Sequence, residues 1–148
     1  MEFDRGFIIF FECDQRGRRT RCTNGCGKKN SKGRYERPFL VLSLKYWNNN
    51  IQNDGMFALP ITTQQGNAYS IDIDNDMLAD TRIKHFNGSK VLCDKLCRIS
   101  ELDLPPLAAG EVVHKVKVAP SALNIIMRKT EEALVHSGVL IHKLENTV

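Results

Sequence analysis

Between Gln15 and Arg37, in the stretch QRGRRTRCTNGCGKKNSKGRYERP, nine lysines and arginines stand with a single acid, Glu36, so the segment carries +8. Outside it, twelve basic residues face sixteen acidic ones, which leaves −4; the modest total of +4 conceals an acidic body with one basic loop. Like charges repel and resist unpaired burial, which predicts a solvated segment, mobile until something binds. The natural ligand for Arg16, Arg18, Arg19, Arg21, Lys28, Lys29, Lys32 and Arg34 is a polyanion or an acidic protein segment. The plain alternative is a surface segment with no ligand. Tyr35 and Trp47 are candidate platforms for stacked bases, with core packing the equal alternative for Trp47.

Other constellations carry less chemistry. Cys22 and Cys26 resemble half of a zinc knuckle with one residue too many between them, and Cys93 and Cys97 repeat that spacing in an expected strand. With Cys13 the only further candidate, four convergent ligands are not evident, so plain thiols and no metal are expected. Asp72, Asp74 and Asp76 open like a calcium loop, but Met77 stands where the turn glycine belongs and Ile83 where the closing glutamate belongs. The histidines, His85, His114, His136 and His142, are expected in surface or packing roles. No cofactor motif is present.

The elements that must position these residues are short. FIIFFEC (7–13), RPFLVLSL (37–44), MFALPITT (56–63), AYSIDID (68–74), KVLCDKLCRI (90–99) and GEVVHKVKV (110–118) are strand-like, separated by turn residues. The stretch 75–88 is a loop or a short helix. From Pro120 the period changes: Leu123, Ile126, Met127, Thr130, Ala133, Leu134 and Ile141 follow one helical face, with Ala119 or Ser121 as N-cap and Gly138 ending or merely weakening the helix. Five or six strands closed by one amphipathic helix predict a small, mainly β barrel with the helix packed on it. At 148 residues the chain is expected to be a single domain, 1–148, with a basic loop insertion at about 15–36. The N-terminus has acids where a signal peptide has lysines, and FIIFF is too short to span a membrane, so a cytoplasmic protein with no membrane partner is expected.

Four segments in order, RPFLVLS, ALPITTQ, VLCDKLCRISELDL and VAPSALNIIMRKTEEAL, together resemble the MazF/PemK family of toxin endoribonucleases, and RGFIIFFECD is similar to that family's opening strand. The resemblance covers most of the chain apart from much of 15–36 and the stretch 74–89. It implies an SH3-like barrel, a homodimer, metal-independent cleavage of single-stranded RNA at short sequences, and a cognate antitoxin whose acidic, apolar tail covers the RNA site. The resemblance also implies that the basic loop grips RNA phosphates. Arg37 matches the arginine of the G-x-R-P motif and Thr62 the hydroxyl residue of P-I-T/S, the usual catalytic pair; Thr63 and Gln64 follow as RNA contacts. Asp94 and Arg98 match the acid and base of D-Q-x-R, with Lys95 in place of glutamine. GRYERP departs from the family's approach to Arg37 by two extra residues.

The implied chemistry is physically simple. RNA brings its own nucleophile, the 2′-hydroxyl, so the site must splay the strand, align that oxygen with the leaving 5′-oxygen and manage charge, giving a 2′,3′-cyclic phosphate and a 5′-hydroxyl. A guanidinium such as Arg37 can clamp the phosphate at two points, and Thr62 can hydrogen-bond a phosphoryl oxygen. Arginine stays protonated at neutral pH, so the general base is unassigned, with Asp94 one contributor. On a regular strand, Asp94 and Arg98 would share a face roughly 13 Å apart, as two stations along RNA or as separate structural partners. Two other readings remain open at this stage: an inhibitor of a protein target such as DNA gyrase on the same barrel, and an RNA-binding protein without catalysis.

Overall fold

The computed structural model describes residues 3–13, 35–53, 55–78, 88–99 and 116–141, with 10–13 and 35–37 described by their backbone. Among the described residues, seven strands and two helices follow in chain order: β1 (Phe7–Cys13), β2 (Tyr35–Val41), α1 (Lys45–Asn48), β3 (Met56–Thr62), β4 (Ser70–Ile73), β5 (Ser89–Leu92), β6 (Cys97–Ile99), β7 (Val116–Lys117) and α2 (Pro120–His136). The strands form one antiparallel sheet in the order β4-β5-β3-β2-β1-β7, with β6 added beside β3. Just past the two outer strands of that path, Leu78 forms an isolated bridge with Val118, and the Ala119 N–H donates to the Met77 carbonyl at 2.7 Å. The sheet thereby curls back on itself, as expected of a small barrel.

Strand alternation gives the sheet two apolar faces. Ile8, Leu40, Leu59, Ile61, Ile73 and Val91 cluster on one face, where Ala122 and Ile126 of α2 complete the core. Ile9, Phe39, Val41, Met56, Ala58 and Ile99 form a second core on the other. Strands buried on both faces read as continuous apolar runs, which is how FIIFF and FLVL look in the sequence.

Helix α2 buries Ala122, Ile126, Thr130 and Ala133. Ala119 is its N-cap and makes no side-chain cap bond, while Pro120 occupies the first turn, where a missing N–H costs nothing. Gly138, at φ +81°, ends the helix, its N–H donating to the Val135 carbonyl, so the expected face stops short of Ile141. The stretch 45–53, expected as a turn, contains α1 and a 3-10 turn, Ile51–Asn53. Leu44 gives α1 no cap; the Asp4 carboxylate does so instead, accepting from the N–H groups of Arg5 at 2.8 Å and Lys45 at 2.9 Å, and these bonds hold its pKa below the usual 3.8. Buried Asn48 ties the same corner, donating to the carbonyls of Phe3 and Ser43. Among the described residues, no helix is long and apolar enough to cross a membrane. The basic positions Arg16 to Arg34, the Cys22–Cys26 pair, His85, His114 and His142 lie outside the described residues.

Candidate active site

The site begins with one interruption. The sequence predicts an unbroken strand from Lys90 to Ile99; the structure breaks it at 93–96, leaving β5 and β6 as separate partners of the same edge of β3. Between the pairs Ala58–Cys97 and Ile61–Val91, β3 uses two residues and its partner five. The cause lies in Pro60. The Leu42 N–H donates to the Phe57 carbonyl, so by alternation Phe57, Leu59 and Ile61 bond toward β2 while Pro60 faces the β5–β6 edge. Having no N–H, it cannot continue the ladder there, and the partner strand loops outward. Asp94 therefore stands exposed in a turn, off any regular strand, and the 13 Å spacing to Arg98 expected of a strand does not apply.

A second proline loosens the other edge of β3. The β2–β3 ladder runs Val41–Ala58, Leu40–Leu59 and Phe39–Pro60. Its next bond would require an N–H from Pro38, so the ladder stops. Carried past that point, the same register sets Arg37 opposite Thr62. The ladder between β3 and β5 sets Thr62 opposite Lys90, and that between β5 and β4 sets Lys90 opposite Asp72. The observed rung carries Thr62, Lys90 and Asp72 on three neighbouring strands, and the continued β2–β3 register adds the backbone position of Arg37 as a fourth. By alternation it lies on the face of Phe39 and Ala58, just beyond the end of the second apolar core.

Thr62 is half-buried, and its Oγ1 accepts from the Gln64 N–H at 3.1 Å. Its O–H is left to donate outward. Thr63 and Gln64 follow, exposed, at the start of the connection from β3 to β4, which crosses over β5. Asn67 closes a turn in this connection: its Oδ1 accepts from the Tyr69 N–H at 2.9 Å, its N–H donates to Ser70 Oγ at 2.8 Å, and its carbonyl accepts from the Ser70 N–H at 3.1 Å. With its backbone fixed, Asn67 Nδ2 donates to Asp94 Oδ2 at 3.0 Å. Tyr69 Oη lies 3.0 Å from His136 Nδ1, tying the connection to the last turn of α2. His136 therefore has a packing role, as expected from the sequence. Asn67 and Lys90 were not singled out in the sequence, because neither falls in a recognisable motif and only the register brings them to Thr62 and Asp94.

The turn holding Asp94 is anchored from below. Cys93 is fully buried, and burial above all raises its thiol pKa from 9.0 to about 11, so it is an inert thiol at neutral pH. Cys97 is half-buried, with Sγ 3.5 Å from the Ala58 carbonyl oxygen. Among the described residues no cluster of three or more His, Cys, Asp and Glu side chains could hold a metal ion.

Two expected contacts lie elsewhere. Arg98 pairs with Phe57, on the opposite face of β3 from Thr62 and five residues away, about 17 Å along the strand. Trp47 packs against Phe57, ring centroids 6.1 Å apart, beside a groove of about 660 Å³ that Leu44, Leu96, Met127 and Leu140 also line. Tyr35 begins β2 opposite Cys13 of β1, so the loop expected to extend to residue 36 gives way to strand at Tyr35.

Neither a family model nor a curated protein matches this sequence. Solved structures do. A MazE–MazF complex from Deinococcus radiodurans matches at 18% identity and a TM-score of 0.53, over 90% of this chain and 96% of that one. The fold is that of MazF. An endoribonuclease in complex with its cognate antitoxin from a mycobacterial species matches at 17% identity and a TM-score of 0.53, over 89% of this chain and 94% of that one. A mycobacterial endoribonuclease matches at 16% and 0.52, over 96% of both chains. On this MazF fold, the rung of Thr62, Lys90 and Asp72, the neighbouring position of Arg37, and the Asn67 turn that holds Asp94 form the candidate active site.

Proposed function

We propose that this protein is the toxin of a type II toxin–antitoxin pair, a sequence-selective, metal-independent endoribonuclease that cuts single-stranded RNA. The observation that supports the reading is the β2–β3 register, which, continued two residues past the pair Phe39–Pro60, sets Arg37 opposite Thr62, in a fold shared with MazF. In this mechanism Arg37 clamps the scissile phosphate and offsets the charge that gathers on its oxygens. The Thr62 hydroxyl, its acceptor side engaged by Gln64, donates to a phosphoryl oxygen. Asp94, held through one oxygen by Asn67, keeps Oδ1 without a hydrogen bond among the described residues, available to the 2′-hydroxyl proton. Cleavage without a base tuned near neutral pH is slow, and the products are a 2′,3′-cyclic phosphate and a 5′-hydroxyl. The segment 15–34 supplies phosphate contacts, Thr63 and Gln64 contact the neighbouring nucleotide, and Arg98 is a separate station on RNA.

The same reading makes the protein a cytoplasmic homodimer with a cognate antitoxin. The test is cleavage of a long single-stranded RNA in EDTA, with Arg37→Ala and Thr62→Ala alongside and the ends of the products analysed. Cyclic phosphate ends with wild type and intact RNA with both folded variants are expected. Intact RNA with well-folded wild type, in EDTA and after metals are restored, would overturn the reading and leave a binding protein on this fold.

A further inference from the structure

We infer that Lys90 is a phosphate ligand of the site, bracketing the scissile phosphodiester from the side of Thr62 opposite to Arg37; the inference rests on the reading of the site as one that takes RNA. Three observations carry it. The first is register: Lys90 is the direct cross-strand neighbour of Thr62, at the spacing of adjacent strands, about 4.8 Å. Continued past Phe39–Pro60, the β2–β3 register sets Arg37 at the corresponding position on the other neighbour of β3. Thr62 then has a basic residue on each side, and a phosphate hydrogen-bonded to its hydroxyl would lie between them.

The second observation is how the lysine is held. Its side chain is half-buried and passes against Gly66 of the connection from β3 to β4: a Cβ added at Gly66 would come within 2.9 Å of Lys90 Cδ and 2.5 Å of Ser70 Oγ. A side chain at this point would displace the lysine stem or the Ser70 hydroxyl. Packing along the stem removes part of the rotamer freedom that a surface lysine loses on binding, so the cost of fixing its ammonium is partly met in the free protein.

The third is electrostatic. The nearest acid by register is Asp72 of β4, yet Lys90 makes no ion pair or hydrogen bond among the described residues. A half-buried cation left uncommitted beside a hydroxyl favours an anion more than a fully solvated one does. Asp72, on the same rung one strand further out, sets the limit of the phosphate track by repulsion.

The experiment is binding of a fluorescently labelled, mixed-sequence single-stranded RNA in a Thr62→Ala background, titrated over KCl, together with cleavage by otherwise wild-type protein. Lys90→Met is expected to weaken binding and lower the slope of log affinity against log salt by about 0.7, one phosphate contact on a single strand. Lys90→Arg is expected to restore both, and Asp72→Asn to tighten binding. Lys129→Met, which removes a cation paired with Glu132 on α2, is expected to change neither. If Lys90→Met melts earlier than its parent, Lys90→Gln replaces it in the same titration. An unchanged slope and affinity in a parent that binds, while wild type cleaves, would overturn the role of Lys90 and spare the proposed function. A loss of slope in Lys129→Met equal to that in Lys90→Met would overturn it too. No binding by the parent and no cleavage by wild type would remove both readings together.

Discussion

The two halves of β3 share one strand and differ in what lies on its far edge. The first half, Met56 to Ala58, pairs with β6, and Met56 and Ala58 pack with Ile99 and Phe39 in a fully enclosed core. The second half ends in half-buried Thr62, pairs with β5, and leads into a connection whose Asn67 bonds to Asp94 of the β5–β6 turn. Pro60 stands at the boundary, where its missing N–H separates β5 from β6. A single strand thereby anchors the barrel at one end and presents chemistry at the other. Substitutions in the two halves should accordingly separate stability from activity.

The largest expected effect falls in the second half. Thr62→Ala should lower the rate of RNA cleavage about a thousandfold, as loss of an oriented transition-state donor does, with a melting temperature close to wild type. In the first half the readouts exchange places: Met56→Ala, at a side chain with no exposure, should cost about 3 kcal/mol in denaturant unfolding, while cleavage per folded molecule stays unchanged. A large loss of activity in folded Met56→Ala would show that the halves are coupled and break the comparison.

Asn67→Ala sharpens it. Removing the donor that fixes Asp94 should reduce cleavage about tenfold, less than the roughly hundredfold or more that outright loss of a general base costs, because Asp94 itself is retained, with little change in binding. Asn67→Asp should not rescue it, because a carboxylate facing Asp94 repels where the amide donates. The smallest effect concerns Asp4, which caps α1. Its pKa is lowered in the folded state, so its contribution is present above the unfolded value of 3.8 and fades as pH falls through the lower folded value. Asp4→Asn should flatten stability in that acid range and leave activity near neutral pH unaltered, as measured by urea unfolding across pH.

Much of this division is legible in the sequence, and its limits are physical. FIIFFEC, MFALPIT and the helical stripe from Leu123 to Ala133 announce themselves because burial dictates residue type along the whole element. The break at 93–96 does not, since VLCDKLCRI has the composition of one strand and the cause of its interruption is a proline more than thirty residues earlier in sequence. Lys90 and Asn67 are ordinary residues locally. Their relation to Thr62 and Asp94 exists only once three strands are aligned, and pairwise register between distant segments is not written in local pattern. The pairing of Arg37 with Thr62, by contrast, is expected from a resemblance between motifs, and the β2–β3 ladder ends two residues short of it, at Phe39–Pro60.

Closure of the barrel at Leu78 and Val118 has a consequence for how the chain reaches this state. The residues of the rung all precede β7 in chain order, so the strands bearing them can pair before the cylinder shuts. Shutting it joins segments far apart in sequence and is the slow, long-range step. Before that step the outer borders of β4 and β7, which have no strand partner of their own among the described residues, also lack the Leu78–Val118 bridge that draws the two ends of the sheet together, and each is a template for a strand from a neighbouring chain. Aggregation during synthesis, more than loss of the native sheet once formed, is therefore the characteristic failure of this architecture.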